Sequence, residues 1–272
     1  MTFTILGTAA AEGWPALWCA CDACREARRL GGKNIRRRAA YQLGERIRID
    51  LGPDSYAQML AFDLHYERLE HLLITHSHAD HLCPQELHFR APGFVACELD
   101  TRLRIRGNAA VQERLLAAGF DPEGWRARFE LIAPFEAIDL SEGVVATPLL
   151  ADHAGSEQAV NYLLQRHGRT LLQGNDTGWW PDPTWEFLAG TVLDVLLIEC
   201  TYGPREGGRH HLGAQQVLQV RDRLGKLGAL APHCRVITTH FSHNGGWLHE
   251  RLEEFFAPHG IEVAYDGMTL EL

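Results

Sequence analysis

The sequence lacks long apolar runs, low-complexity tracts and linkers rich in proline or serine. Its longest apolar stretches, such as residues 195–198, have only strand length, whereas a membrane-spanning helix needs about 18 or more apolar residues. The first residues show no cationic start followed by an apolar core, so they do not resemble a signal peptide. These absences predict a chain that neither spans nor enters a membrane, and they favour a cytoplasmic location.

Positive charge is also scarce. The 272 residues contain 26 Lys and Arg against 35 Asp and Glu, which gives a formal net charge of −9. Non-specific nucleic-acid binding depends on cations that neutralise phosphates, so an extended nucleic-acid partner is disfavoured. Seven cations nevertheless fall within residues 25–38. This basic cluster would either guide an anionic phosphate or form a solvated face with local acids.

Histidine and cysteine, in contrast, are abundant, with 15 and 7 residues. An odd number of cysteines without an export signal argues for a reducing compartment. There, clustered cysteines bind metal or carry out redox chemistry more often than they form disulfides.

Short apolar runs alternate with helical periodicity along the whole chain. Residues 46–51 alternate between isoleucine or leucine and charged residues, which predicts a half-buried strand. Asn108 is a candidate cap for a helix, and residues 213–224 and 248–256 also have helical periodicity. Asp266-Gly267 predicts a tight hairpin between two final strands. The pattern predicts one α/β domain over residues 1–272.

The most informative motif follows the apolar run at residues 72–75. It reads His76-Ser77-His78-Ala79-Asp80-His81. Three imidazoles and a carboxylate at the end of a buried strand suit a cation such as zinc, manganese or iron. A tight turn after the strand would let His76 and His78 face one position while Asp80 and His81 face its neighbour. The motif therefore predicts two adjacent metal ions held by one loop.

This pattern resembles the metallo-β-lactamase superfamily, and the resemblance continues along the chain in the order of the family's motifs. It implies an αββα sandwich, an α/β (α+β) fold of two mixed β-sheets flanked by helices. It implies that His76, His78 and His153 hold one metal, that Asp80, His81 and His240 hold the other, and that Asp176 bridges them. Asp50 matches the family aspartate that supports the metal loop.

A second motif, Cys19-Ala20-Cys21-Asp22-Ala23-Cys24, places three thiols close enough to bind one zinc ion. A redox pair of Cys21 and Cys24, or unrelated buried cysteines, are the alternatives. The four other cysteines have no ligand spacing and are interpreted as buried apolar side chains.

One branch of the superfamily, that of PhnP-type phosphodiesterases, is similar in this respect as well. The resemblance implies a structural zinc on Cys19, Cys21, Cys24 and His243, the last lying three residues after His240. Such a zinc would tie the loop near residues 19–24 to the loop of the last metal ligand, and would contribute mainly to folding and ligand positioning.

The same branch implies a histidine near the metals that protonates a leaving oxygen. His211, in the stretch from Gly208 to Gly213, matches best, and His210 is the competitor. A histidine near its normal pKa suits general acid catalysis. With Asp80, which stands where some related β-lactamases carry cysteine, His211 completes the predicted catalytic residues.

These features predict a metal-dependent hydrolase that uses hydroxide held by two divalent ions, Zn or Mn with Fe as a third candidate, and that carries one structural Zn. The expected substrate is a small or cyclic phosphodiester. The alternatives are a PqqB-like protein of cofactor biosynthesis with an oxidative or carrier role, or a thioesterase or lactonase of the same superfamily. A homodimer is the oligomeric state that the resemblance suggests.

Overall fold

The computed structural model describes residues 1–207 and 209–272; Gly208 of the stretch quoted above lies outside the described residues. Two seven-stranded sheets pack face to face and helices cover their outer faces. The predicted αββα sandwich is therefore confirmed. No helix of the described residues is long and apolar enough to cross a bilayer.

The first sheet has the strand order β14-β1-β2-β3-β4-β5-β6. Its pairs from β14 to β3 are antiparallel and those from β3 to β6 are parallel. Its strands are β1 (Thr2–Gly7), β2 (Ala40–Leu43), β3 (Ile47–Ile49), β4 (His71–Leu73), β5 (Leu103–Gly107), β6 (Ala127–Leu131) and β14 (Thr269–Glu271).

The second sheet has the order β13-β12-β11-β10-β9-β8-β7. It too is mixed, antiparallel from β7 to β10 and parallel from β10 to β13. Its strands are β7 (Ile138–Asp139), β8 (Val145–Leu150), β9 (Val160–Arg166), β10 (Arg169–Gly174), β11 (Leu193–Glu199), β12 (Leu230–Thr239) and β13 (Ile261–Val263).

Seven α-helices occur in the described residues, and they lie between or after strands. Asn108 caps α4 by accepting a hydrogen bond from the Val111 N–H, as the sequence predicted. The helices are α1 (Asp22–Leu30), α2 (Ser55–Phe62), α3 (Pro84–His88), α4 (Ala109–Ala117), α5 (Asp182–Leu188), α6 (Ala214–Lys226) and α7 (His249–Phe256).

Three apolar layers hold the sandwich together. Side chains such as Phe3, Ile49 and Leu197 fill the space between the sheets. A second layer joins the outer face of the second sheet to α5, α6 and α7, and a third joins the first sheet to α3 and α4. Both faces of the central strands are thus buried, which leaves their ends as the places where polar side chains meet solvent.

The strand at Ile47–Ile49 is buried on both faces, so the prediction of a half-buried strand was wrong. Arg48 is fully buried under α2. Its guanidinium donates to the Asp50 carbonyl (2.8 Å) and to Gln58 Oε1 (2.6 Å). Hydrogen bonds to neutral acceptors compensate for the loss of water, so a charged residue in an alternating pattern did not mark an exposed face.

The predicted terminal hairpin was also wrong. Strand β13 pairs with β12 in the second sheet, whereas β14 pairs with β1 in the first. The turn between them crosses from one sheet to the other. Asp266 anchors it by accepting hydrogen bonds from Thr8 Oγ1 (2.7 Å) and the Arg37 N–H (2.6 Å). Long-range bonds thus override the local hairpin preference of Asp-Gly.

Candidate metal centre

The polar residues singled out in the sequence follow strand ends at one edge of the sandwich. The motif of residues 76–81 follows β4, and Asp50 follows the adjacent parallel strand β3. In the second sheet, His153 lies after β8, Asp176 after β10 and His240 directly after β12. Since these strands end at the same edge, residues far apart in sequence meet there.

Seven side chains form what we call the edge cluster. The ligand atoms of His76, His78 and His153 lie within 4.8 Å of one another, as do those of Asp80, His81 and His240. Asp176 lies between the two groups. Its Oδ2 is 3.1 Å from His81 Nε2 and 3.0 Å from His240 Nε2, while its Oδ1 is 3.7 Å from His153 Nε2. The structure thus brings together all seven residues predicted as ligands, in the two predicted groups.

The edge cluster has the chemistry of a metal site. The Nε2 atoms of His76, His81 and His240 and Oδ2 of Asp176 are buried without hydrogen-bond partners. The imidazole and carboxylate atoms of His81, His240 and Asp176 are only 3.0–3.1 Å apart, yet their directions do not satisfy hydrogen bonds. Burying unpaired polar atoms is costly, and divalent cations would satisfy them. The residues therefore fit two such ions, and their assignment as ligands stays a prediction.

The opposite ring nitrogens of these histidines are held by neighbouring groups. His81 Nδ1 donates to Asp50 Oδ2 (2.7 Å), and His240 Nδ1 to Thr201 Oγ1 (2.9 Å). His76 Nδ1 lies 3.1 Å from Thr75 Oγ1. Contacts of this kind fix the ring and leave Nε2 free to bind a cation.

Three supporting and ligand residues have left-handed backbone conformations. The φ angles are 62° at Asp50, 48° at Asp176 and 56° at His240. Such values are uncommon outside glycine and concentrate at functional sites, where the surrounding structure compensates for the strain. Each of the three follows directly or closely on a strand, so the sharp bend turns the side chain toward the edge cluster.

The charges of the edge cluster oppose each other. Burial disfavours the protonated form of His81, but Asp80, Asp176 and Asp50 together raise its pKa well above the usual value. Burial and the neighbouring His81 lower the pKa of His76 well below it. The carboxylates of Asp50, Asp80 and Asp176 therefore favour a positive charge in the edge cluster, and a bound cation would supply it.

His211 approaches the edge cluster from the loop after β11. Its ring centroid is 4.9 Å from that of His153, and its ligand atom groups with those of His153 and Asp176. His210, its competitor, is exposed and contributes its backbone carbonyl, which accepts a hydrogen bond from His153 Nδ1 (3.1 Å).

The sequence did not reveal the partner of His211, which is the fully buried Glu199 at the end of β11. Glu199 Oε1 is 2.9 Å from His211 Nδ1. The Thr177 and Leu212 N–H groups also donate to its carboxylate, at 2.7 and 3.0 Å. Burial alone disfavours the imidazolium, but the charge and hydrogen bond of Glu199 raise the pKa of His211 to about 9. A glutamate that ends a buried strand was the available signal.

The predicted structural zinc ligands also meet. Cys19, Cys21, Cys24 and His243 place their ligand atoms within 4.8 Å of one another, and we call this group the cysteine cluster. Cys21 Sγ is 3.5 Å from His243 Nδ1, a contact that lowers the pKa of the thiol to about 6. Three sulfurs and one imidazole are a common donor set for zinc.

Of the other cysteines, Cys200 is buried, but Cys97 is exposed and Cys83 and Cys234 are partly exposed. The interpretation of all four as buried apolar side chains therefore holds for Cys200, is wrong for Cys97 and is only partly met by Cys83 and Cys234.

The basic cluster of residues 25–38 is largely paired within the protein. Arg29 and Arg38 form ion pairs with Glu26 (2.6 Å) and Asp54 (2.8 Å). Arg36 is buried and donates to the Ala264 carbonyl (2.8 Å). This pattern favours the alternative of local pairing over a free surface for anions.

Comparisons with known proteins agree with this architecture. The model of the beta-lactamase superfamily domain matches residues 45–241, which is well over half of the chain. No curated protein matches the chain significantly by sequence.

Among solved structures, a diphosphatase of the PhnP family is similar over 100% of this chain and 96% of its own, with 25% identity and a TM-score of 0.75. Zn²⁺-bound PqqB from Methylobacterium extorquens has a TM-score of 0.75 at 17% identity over 100% of both chains. The short form of human tRNase Z has a TM-score of 0.65 at 18% identity, covering 100% of this chain and 99% of its own. The last two likenesses show the fold alone.

The family match and the fold agree with the resemblance that the metal-loop motif indicated, and members of this superfamily use divalent metals. The chain therefore belongs to the beta-lactamase superfamily and is a metal-dependent hydrolase of the metallo-β-lactamase fold.

Proposed function

We propose that this hydrolase is a phosphodiesterase that acts on a small or cyclic phosphodiester with two divalent ions in the edge cluster. The observation that carries the proposal is the pair formed by His211 and the buried Glu199 beside that cluster. A hydrolase that expels a poor leaving group such as an alkoxide gains most from a proton donor at this place.

The predicted ligand groups would hold one ion by His76, His78 and His153 and the other by Asp80, His81 and His240, with Asp176 contacting both. When bound, the ions would supply a strong nucleophile from water at neutral pH and would neutralise charge on the phosphoryl oxygens. Asp80 is buried beside His81, at 3.0 Å from its Nε2. In this proposal the Asp80 carboxylate would hold one ion and would also orient the attacking water.

His211 is suited to protonate the leaving oxygen. Because Glu199 raises the pKa of His211 to about 9, the imidazole carries its second proton at neutral pH. Glu199 occupies Nδ1, so the proton available to a substrate is on Nε2. Loss of that proton in the reaction leaves a neutral imidazole still hydrogen-bonded to the carboxylate.

Two further observations support a small anionic substrate. The PhnP-family protein that is 25% identical to this chain is named a diphosphatase, an enzyme whose substrate is a diphosphate. The net charge of −9 and the local pairing of the basic cluster disfavour a long polyanion. The proposed partner is therefore a small molecule.

Hydrolysis of bis(p-nitrophenyl) phosphate by protein loaded with Zn²⁺ or Mn²⁺ tests the proposal, with a cyclic nucleotide, a diphosphate ester, a thioester and a lactone compared at equal concentration. We expect the phosphodiesters to be preferred, and His78→Ala and Asp176→Ala to lower the rate by at least about 10³-fold, since each removes a predicted metal ligand. His65→Ala, at an exposed histidine outside the edge cluster whose Nδ1 lies 3.1 Å from Glu67 Oε1, is the matched control and should be fully active.

Unchanged activity in His78→Ala or Asp176→Ala contradicts the proposal. Preference for the thioester or the lactone assigns the chain to another branch of the superfamily. Iron in the purified protein together with no esterase activity favours the PqqB-like alternative instead.

A further inference from the structure

A carboxylate outside the predicted ligand set contacts the metal loop. Glu157 lies between β8 and β9, four residues after His153. Both its oxygens accept the Ser77 N–H, at 3.1 and 3.0 Å, and Oε1 also accepts the Ser77 hydroxyl at 2.8 Å. Ser77 is the residue between His76 and His78, so this contact holds the middle of the metal loop.

Asn108 fixes Glu157 from the other side. Its Nδ2 donates to Glu157 Oε2 (2.8 Å) and to the Gln158 carbonyl (2.9 Å), while its Oδ1 caps α4. Asn108 is itself buried. The carboxylate is therefore held between a rigid helix start and the metal loop, by hydrogen bonds that its charge strengthens.

These bonds join the two segments that carry one ligand group. His76 and His78 flank Ser77, and His153 lies on the loop that supplies Glu157. The other group is supported differently, by Asp50 at His81 and by Thr201 at His240. Asp176 contacts both groups, and Asp50 also reaches His76 through the Thr75 hydroxyl, but the hydrogen bonds of Glu157 to the metal loop go only to Ser77, in the first group.

We propose that Glu157 is a positioning residue for one metal position only, the position formed by His76, His78 and His153. The proposal rests on the metal occupancy assumed in the proposed function, but it does not depend on the substrate. Glu157 sets the distance between the two segments, and its removal loosens that position while the position of Asp80, His81 and His240 keeps its affinity.

The test is a titration of metal-free protein with Co²⁺, followed by absorption spectroscopy and by the metal content after dialysis. Thiolate absorption identifies ions in the cysteine cluster and separates them from those in the edge cluster. For Glu157→Ala we expect one edge-cluster binding step to weaken about 10- to 100-fold, as for other contacts that orient metal ligands. The second step should be unchanged, and Glu157→Gln should show a smaller effect in the same step.

Two variants make the result specific. Gln158→Ala changes the exposed neighbouring side chain and should leave both steps unchanged. Thr201→Val removes the partner of His240 Nδ1 and should weaken the other step instead. If Glu157→Ala does not fold, Glu157→Gln and Ser77→Ala, which removes only the 2.8 Å hydroxyl contact, provide the comparison.

Equal weakening of both steps, or no weakening of either, overturns the proposal. The metal titration contains no substrate, so its outcome is independent of the proposed function. If Glu157→Ala weakens one binding step and the wild type has no phosphodiesterase activity, the proposed function is refuted and the role of Glu157 stands. If the wild type is a phosphodiesterase but Glu157→Ala weakens neither step selectively, the proposed function stands and the role of Glu157 is refuted.

Discussion

The edge cluster and the cysteine cluster are built in opposite ways. In the edge cluster the ligands follow strands of two packed sheets, and five of the seven are buried. The opposite ring nitrogens of His76, His81 and His240 contact Thr75, Asp50 and Thr201. In the cysteine cluster Cys24 is buried but Cys21 is exposed, and the four side chains come from the start of α1 and a loop after β12. Both clusters bring their ligand atoms within 4.8 Å of one another, but buried hydrogen bonds hold the ligands of the first in place, whereas the more exposed second cluster would depend more on a bound ion for its stability.

This difference predicts different consequences of metal loss. Removing ions from the edge cluster should abolish activity and leave most of the fold intact. Removing an ion from the cysteine cluster should cost stability first, because binding free energy there is folding free energy.

The largest effect is expected for Asp50→Ala. The fully buried carboxylate accepts hydrogen bonds from the Thr75 N–H (2.9 Å) and from His81 Nδ1 (2.7 Å). Its loss leaves buried donors unpaired and should lower the free energy of unfolding by about 3–5 kcal/mol, measured by urea denaturation of the metal-free protein. Asp139→Ala, at an exposed aspartate, is the control. A loss below about 1 kcal/mol would show that the edge cluster is not preformed.

Cys24→Ser tests the opposite behaviour of the cysteine cluster. With free Zn²⁺ at a thousand times its dissociation constant, binding stabilises a protein by about 4 kcal/mol, and the variant should lack this gain. A strong chelator should lower the free energy of unfolding of the wild type by a similar amount, and should lower that of the variant much less. Cys97→Ser, at the exposed cysteine, should behave as wild type. Equal chelator effects in wild type and Cys24→Ser argue against a zinc at this cluster.

The pH dependence of stability tests a part of the fold that lies outside both clusters. His71 on β4 is buried, and its Nδ1 accepts a hydrogen bond from Arg106 Nη1 (2.7 Å). Burial, then the charges of Arg106 and Arg104, lower the pKa of His71 to about 4. The unfolded chain takes up this proton near pH 6.5, before the folded chain does. Stability should therefore fall by about 3 kcal/mol as the pH drops from 6.5 to 4.

Urea midpoints between pH 7.5 and 4, with chelator present throughout, measure this slope. In His71→Gln the slope over that range should be less steep, because one of the histidines with a lowered pKa is gone while His76 remains. An equally steep slope in the variant would assign the acid sensitivity to other groups.

The smallest effect in this series is expected for Glu199→Gln. The amide keeps the size of the side chain but removes the charge that keeps His211 protonated at neutral pH. We expect the rate to fall by about 10²-fold, at the lower end of the range for general acid catalysis. Metal content should be unchanged, since Glu199 is outside the predicted ligand set. A variant that loses metal as well would place Glu199 among the groups that hold the edge cluster together.

Much of the site was predictable because its ligands lie in short motifs. The motif at residues 76–81 predicted a metal loop from the residues alone, and Cys19, Cys21 and Cys24 marked the second cluster. The αββα fold and the distant ligands His153, Asp176 and His240 were implied by the resemblance to the superfamily, and the structure brings those residues to the motif. The supporting residues were not predictable in this way. Glu157 and Glu199 act through hydrogen bonds to residues that are brought near only by folding.

The wrong predictions have a related cause. Arg48 looked exposed because its strand alternates, but α2 covers that face and supplies acceptors. Asp266-Gly267 looked like a hairpin because the local preference is strong, but Thr8 and the Arg37 N–H hold Asp266 at the crossing between sheets. A local sequence pattern describes the strand or turn in which a residue lies. The burial of Arg48 and the direction of the turn at Asp266 depend on neighbouring elements that the pattern does not include.

The place of β14 has a consequence for the protein as it leaves the ribosome. Strand β1 is the second strand of the first sheet, yet one of its neighbours is β14, which follows every other strand of that sheet in the chain. The Phe241 N–H also bonds to the Thr8 carbonyl (2.8 Å), next to His240. Until translation reaches these residues, β1 has an unpaired edge that other chains can join. Chaperones that bind extended segments should therefore protect β1 until β14 has been synthesised.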